Sequence, residues 1–332
     1  MNSGKQQFYQ PIHGISIGLV ATMALGLPYL LSWFGQDYYL NLCSRILIFG
    51  LAATSLNLIL GSAGLVSLGH AAFLGCGAYL SALCAQAGQF NLLVQLGLAA
   101  LLSATLGYLI ASVCLRTQGV YFIMITLAFA QMLYYLTLAL RLTGGEDGIN
   151  LPQKAQLWSE LSGLDFNLDQ HFYYLTLTLF ALIVWLLSQL LNSPFGRILQ
   201  ASKENPQRLL ALGYHVSRFQ LLAFVIAAAI AGLAGCLLAN QNQLVSPNLL
   251  SWHESGNLLI MVLIGGVGQR WGGLTGAAVL LSAQEFLPAY SPHWQLYLGF
   301  CLLLIVLFFP AGLAGLSPRL IRHKTPNQEV RT

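Results

Sequence analysis

Long apolar runs alternate with short polar stretches along nearly the whole chain. The runs extend from Gly14 to Phe34, Tyr39 to Leu60, His70 to Ala87, Leu92 to Leu115, Val120 to Leu140, Phe172 to Leu191, Leu221 to Ala239, Leu249 to Val267, Leu274 to Leu287 and Leu296 to Phe309. An α-helix rises about 1.5 Å per residue, so roughly 20 apolar residues cover a hydrocarbon core about 30 Å thick. With no water in that layer, the backbone must satisfy its own hydrogen bonds, which a helix does. The pattern predicts an all-α, polytopic transmembrane fold of about ten spans, eight to ten as the range, forming a single domain over residues 1–332. The eighth run carries His253 and Glu254 near its start and the ninth is short, so one or both are candidates for half-helices.

Polar residues inside the runs refine this reading. A central arginine costs about 2.5 to 3.5 kcal/mol on an insertion scale. The ten Leu, Ile or Phe residues between Leu42 and Leu60 outweigh Arg45, which lies near one end of its run where it can snorkel. Asn57, Gln131 and Glu285 are expected to face protein or a water path rather than lipid.

One stretch interrupts the apolar pattern with charge. Residues 193–218, SPFGRILQASKENPQRLLALGYHVSR, hold Arg197, Lys203, Arg208 and Arg218, four of only 14 Lys and Arg. Ser193 before Pro194, and Asn205 before Pro206, suit an N-cap and first helical position, and Gly213 suits a stop. Two short helices broken near Lys203 to Asn205 follow. The second carries Leu209, Leu210 and Leu212, either to dock in a partner's groove or to fold back onto the membrane domain.

Composition agrees with a membrane protein. Of 332 residues, 57% are hydrophobic and 7% charged, against about 25% charged in soluble domains. The first run is longer than a signal-peptide core and no A-x-A site follows it, so it is expected to remain as a membrane helix. A cytoplasmic N-terminus places Lys5, Arg116, Arg197, Lys203, Arg208, Arg218, Arg270, Arg319, Arg322, Lys324 and Arg331 inside. Only Arg141 and Lys154 then fall outside, which fixes the orientation by the positive-inside rule, with both termini and the 315–332 tail cytoplasmic. The net charge of +4 therefore reads as orientation, not nucleic-acid binding. The outward loop from Thr143 to Gln170 is acidic and long enough to receive a partner.

The chemistry-bearing signals are few. All six cysteines lie in apolar segments without CxxC spacing, and His70 has no ligand spacing, so neither disulfides nor a metal site are expected. No P-loop, G-x-S-x-G or H-E-x-x-H motif occurs, and no relay of intramembrane acids and histidines, so no catalytic residue is assigned and the energy source lies outside the chain. The run GSAGLVSLGHAAFLGCGAY, from Gly61 to Tyr79, predicts a broken helix or tight turn beside a transport path, with glycine-mediated packing as the alternative. A second cluster, Gly265, Gly266, Gly268, Gly272, Gly273 and Gly276, surrounds Arg270 and Trp271 and leaves an internal repeat open. Ala227, Ala228, Ala231, Gly232 and Gly235 place small residues at helical spacing, a packing signal first. Polar or small residues in apolar surroundings, Ser67, Gly69, His70, Tyr121, Thr126 and Gln131, are the candidates for lining a path.

Five linked blocks, GLVSLGHAAFLGCGAYLSAL, RTQGVYFIMITLAFAQMLYY, TGGEDGI, FGRILQASKENPQRLLALGYHVSRFQLLAFVIAAAIAGLAGCLLA and VLIGGVGQRWGGLTGAAVL, closely resemble the LivM-type permeases of branched-chain amino acid ABC importers. The resemblance implies a bacterial inner-membrane permease for branched-chain or other hydrophobic amino acids, working by alternating access. It also implies a LivH-type sister permease, two cytoplasmic ATPase subunits and a periplasmic substrate-binding protein as partners, in a setting of membrane lipid. ATP and Mg²⁺ would sit on the ATPase, leaving this chain without a cofactor. Arg197, Ala201, Glu204, Arg208, Ala211 and Gly213 match the family's coupling segment, which enters a cleft of the ATPase, and Leu209 and Leu210 are the apolar docking pair; Lys203 and Gln207 fall at variable positions. Related systems carry urea or short amides, and TGGEDG resembles the amino acid branch more closely. An ion-coupled secondary transporter is the competing class, and the missing ionisable relay weighs against it.

Overall fold

The computed structural model describes residues 26, 28, 37–156, 169–308 and 312–315. The expected first span, Gly14 to Phe34, lies outside the described residues apart from Gly26 and Pro28, as does nearly all of the 315–332 tail. From Asp37 onward the described residues form eleven α-helices: α1 Asp37–Asn57, α2 His70–Gln86, α3 Leu92–Cys114, α4 Val120–Ala139, α5 Asp169–Asn192, α6 Pro194–Glu204, α7 Pro206–Ala211, α8 Val216–Asn242, α9 Trp252–Gly265, α10 Gly272–Tyr290 and α11 Trp294–Phe308. The only described strands are two-residue pieces, β1 Ile149–Asn150 and β2 Leu244–Val245, paired antiparallel.

Five described helices are long and apolar enough to cross a membrane: Tyr38–Ala63, Leu92–Cys114, Val120–Ala139, Asp169–Asn192 and Val216–Asn242. The chain is thus an all-helical multi-pass membrane protein. Among the shorter helices, α9 has 14 residues and ends where Gly266 adopts φ 111°. At about 1.5 Å per residue it extends roughly 21 Å, short of the roughly 30 Å of a hydrocarbon core.

Helix α8 is the centre of the bundle because its small side chains let other backbones approach. A Cβ at Gly235 would overlap the Leu74 carbonyl of α2, and one at Gly77 would overlap the Gly232 carbonyl of α8. Gly232 also faces Ser103 and the Ala99 carbonyl of α3, while Ala227, Ala228 and Ala231 are fully buried. In lipid, where apolar burial alone does not drive helices together, such close approach is a main source of association. Glycines also set the α9–α10 hairpin, with Gly276 against the Met261 carbonyl and Gly273 against Thr54 of α1. The second glycine cluster therefore packs helices, as the seventh run does.

One end of the bundle is closed by a polar lock. Ser81 Oγ donates to Gln95 Oε1 at 2.7 Å, Gln95 Nε2 donates to the Gln89 carbonyl at 2.8 Å, and Asn240 Nδ2 donates to Ser81 Oγ at 3.0 Å. Asn240 Oδ1 in turn accepts from the Ala155 amide at 2.8 Å, tying in the loop after β1. At the same end Gly144, Gly145 and Gly148 of TGGEDG all have positive φ, and Gly148 lies against the Val245 carbonyl. The motif's glycines have a backbone reason to be there. Replacing Asn240 with Ala strands buried partners of this lock and is expected to cost about 1 to 3 kcal/mol, measured as a lower thermal-unfolding midpoint in detergent.

Candidate functional site

At the opposite end, α1 does not stop at Asn57 but widens into a π-helical turn, Leu58–Ala63. Gly64, at φ 72°, ends it in the left-handed region, and residues 64–69 run without regular structure until α2 begins at His70. The expected break in the glycine-rich run is therefore present. A Cβ at Gly61 would lie 2.7 Å from the Gly268 Cα, so the two glycine clusters meet backbone to backbone. Asn57 clamps the meeting point: Nδ2 donates to the Gln269 carbonyl and Oδ1 accepts from the Gly268 amide, both at 2.8 Å. An open pocket lies here, lined by Thr54, Asn57, Ser62, Ser188, Gln200 and Arg270 among others. Asn57 was legible as a lone amide in an apolar run, but its partner, more than 200 positions away, was not.

Of the residues expected to line a path, Ser67, Gly69, His70 and Thr126 come together in the interior beside this break. Ser67 and His70 are fully buried, Thr126 nearly so, and a Cβ at Gly69 would lie 2.5 Å from the Thr126 carbonyl. His70 Nε2 is 2.7 Å from Ser55 Oγ, which also lies 2.7 Å from the Ala52 carbonyl. The His70 Nδ1 is buried without a hydrogen-bond partner among the described residues. Ser255 Oγ accepts from the Ala71 amide at 3.1 Å and so satisfies one of the free donors that open α2.

The other two candidates lie apart. Tyr121 is 72% exposed and shares the outer face of α4 with Met124, Met132 and Tyr135. Gln131 keeps a buried Nε2 with no hydrogen-bond partner among the described residues. Glu285, expected to face protein, accepts from the Tyr38 hydroxyl of α1.

The charged loop folds as its punctuation predicts, into α6 and α7. Asn205 caps α7, its Oδ1 accepting from the Arg208 amide at 3.0 Å, whereas Ser193 makes no cap and donates instead to the Leu190 carbonyl at 2.6 Å. Gly213 takes φ 86° after the second helix. Arg197, Glu204, Arg208, Ala211 and Gly213 are exposed, and Ala201 is half-buried. The apolar pair divides. Leu209 is 7% exposed and turned toward the protein, whereas Leu210 is 58% and Leu212 68% exposed. Leu209 thus folds back onto the protein, while Leu210 and Leu212 remain exposed. Beneath α6, Leu199 packs with Ala63 of the π turn and Ala223 of α8, and Lys203 Nζ donates to the Gly61 carbonyl at 3.1 Å.

Residues 38–307 match the family described as "Branched-chain amino acid transport system / permease component". The chain is 28% identical to the high-affinity branched-chain amino acid transport system permease protein LivM of Salmonella typhimurium over 323 residues, covering 91% of this chain and 75% of that protein. The LivM of Escherichia coli is 29% identical over 321 residues, 90% of this chain and 75% of the relative. The LivH permease protein of Escherichia coli is 30% identical over a shorter stretch of 125 residues, 37% of this chain and 40% of that one. No solved structure matches.

Proposed function

Since the chain belongs to the family of branched-chain amino acid transport system permease components, we propose that it is the membrane permease subunit of an ABC importer for branched-chain or other hydrophobic amino acids. Its similarity to LivM proteins runs along about nine-tenths of its length, which carries the reading, whereas the LivH match is partial. A LivH-type permease is then the sister subunit, and two cytoplasmic ATPase subunits bind ATP and Mg²⁺ and do the hydrolysis. A periplasmic protein delivers substrate to the acidic loop that begins at Thr143. This places the chain in the bacterial inner membrane with both termini and the α6–α7 segment on the cytoplasmic side, the side its basic residues favour.

The division of labour follows from the surfaces. Arg197, Glu204, Arg208, Leu210 and Leu212 face outward on α6, α7 and the turn after it, where a cleft of the ATPase would receive them. ATP binding draws the ATPase dimer together, and α6, seated on Ala63 and Ala223 through Leu199, passes the movement into the bundle. The permease pair then reopens toward the other side, and no bond is made or broken on this chain.

The test is co-purification from mild detergent followed by an ATPase assay. With Leu210 and Leu212 both changed to Asp, two apolar contacts of about 1.5 to 3 kcal/mol each are replaced by charge, so ATPase retention should fall by at least about 100-fold while membrane insertion is unchanged. Leu209→Asp is the contrasting variant, because that side chain is buried and its loss disturbs the hairpin itself. A native chain that brings down no ATPase, or a Leu210/Leu212 variant that keeps it, overturns the coupling role. Leucine uptake that valine and isoleucine compete for, and urea does not, tests the substrate class.

A further inference from the structure

The α1 helix and its π turn are continuous from Asp37 to Ala63, and the Gly61 carbonyl near its end meets α6. The final carbonyls of a helix lack amide partners and carry the negative end of its dipole. Here the Ile59 carbonyl accepts from the amides of Gly64 and Leu65. The Gly61 carbonyl accepts instead from the ammonium of Lys203, at 3.1 Å, a charge brought in from α6. The Lys203 stem lies across Gly64, where a Cβ would come 3.0 Å from its Cγ and where φ 72° already disfavours a side chain. Leu199 makes the apolar half of the same junction against Ala63 and Ala223.

We infer that Lys203 is a positioning residue of the transport cycle, transmitting the displacement of α6 into the π-helical end of α1 rather than docking the ATPase. The inference rests on the importer reading above. Arg197, Glu204 and Arg208 are open to a partner, and Lys203, although it too is exposed, directs its ammonium to the chain's own broken segment. A charge-assisted bond to a helix end is directional, and with Leu199 beside it α6 and residues 58–64 move as one body. From there Asn57 carries the movement to Gly268 and Gln269, and so to the α9–α10 hairpin. One cation thus connects the docking segment to both glycine clusters.

The experiment uses the whole transporter in proteoliposomes, with K203M and K203R variants, and reads two quantities. These are the ATPase retained on co-purification and the substrate moved per ATP hydrolysed. K203M keeps the stem and removes the charge, so it should retain the ATPase at the native level while substrate moved per ATP falls about fivefold, the worth of one cation at a helix C-terminus. K203R should restore the ratio to within about twofold of native, because the charge returns. A loss of folding alone lowers uptake and hydrolysis together and leaves their ratio unmoved. An unchanged ratio in K203M overturns the inference, and so does loss of the ATPase from K203M, which would make Lys203 a docking residue. If K203M fails to accumulate, K203Q, which retains a donor without the charge, must give the same separation or the inference falls. A native chain that retains no ATPase defeats the importer reading itself, a result distinguishable from failure of Lys203 alone.

Discussion

Gly235→Leu is expected to abolish accumulation of the folded chain. A Cβ at this position overlaps the Leu74 carbonyl oxygen and comes 3.0 Å from the Ala78 amide nitrogen, both backbone atoms of α2. A neighbouring side chain can rotate out of the way, but a helix backbone can only move as a unit. Overpacking ordinarily costs about 1 to 3 kcal/mol, and a rigid obstacle puts this site at about 3 kcal/mol or more. The penalty falls on the contact that holds α8 against α2, with Gly77 and Gly232 in the same seam. Gly97→Leu is the control, since a Cβ there meets nothing within 4 Å. Membrane yield and the monodisperse fraction in detergent should collapse for the first variant and stay native for the second. Native behaviour of Gly235→Leu would mean that α2 and α8 do not pack through this seam.

The second large effect is expected at Asn57. Leu at this position keeps the approximate size of the side chain but leaves the Gly268 amide and the Gln269 carbonyl without their partner. Each stranded group in a buried site costs about 1 to 3 kcal/mol, and the adjoining pocket admits some water, so a loss of about 2 kcal/mol in stability is expected. The functional loss should be larger than that figure suggests. Asn57 joins the end of α1 to the loop that opens α10, and without the clamp the two glycine clusters shift independently. Leucine uptake should fall by more than about tenfold, with co-purification of the proposed ATPase partner unchanged. Asn57→Asp keeps the acceptor for Gly268 and turns a negative oxygen toward the Gln269 carbonyl, so it should fall between Leu and native. Native uptake in Asn57→Leu would remove the clamp from the mechanism.

Much of this architecture was legible in the residues. Apolar runs of span length can be stable in lipid only as helices, and the α3, α4 and α8 boundaries fall within a few residues of the runs that predicted them. Pro194, Asn205, Pro206 and Gly213 each carry a backbone preference that acts locally, so the two short helices of the charged loop could be read without any tertiary information. The glycine-rich run announced a break because a lipid-facing helix has no reason to hold so many flexible residues. The resemblance to LivM-type permeases agrees with the family match over residues 38–307.

What the sequence could not supply were the partnerships. A span's length and polarity depend on its own residues, so membrane insertion, helix type and the breaks at Gly64 and Gly213 were set by the chain's local chemistry. Whether a glycine packs a helix or lines a path depends on which backbone lies opposite, and that is decided only when distant segments meet. Gly61 met Gly268, and Gly235 met Leu74. In the same way Leu209 and Leu210 are equivalent as residues and adjacent in sequence, yet the fold buries one and exposes the other because consecutive helical residues point about 100° apart and only one direction meets the protein. Lys203 looked like one more loop cation until folding set its ammonium against the Gly61 carbonyl, the end of a helix more than 140 positions earlier.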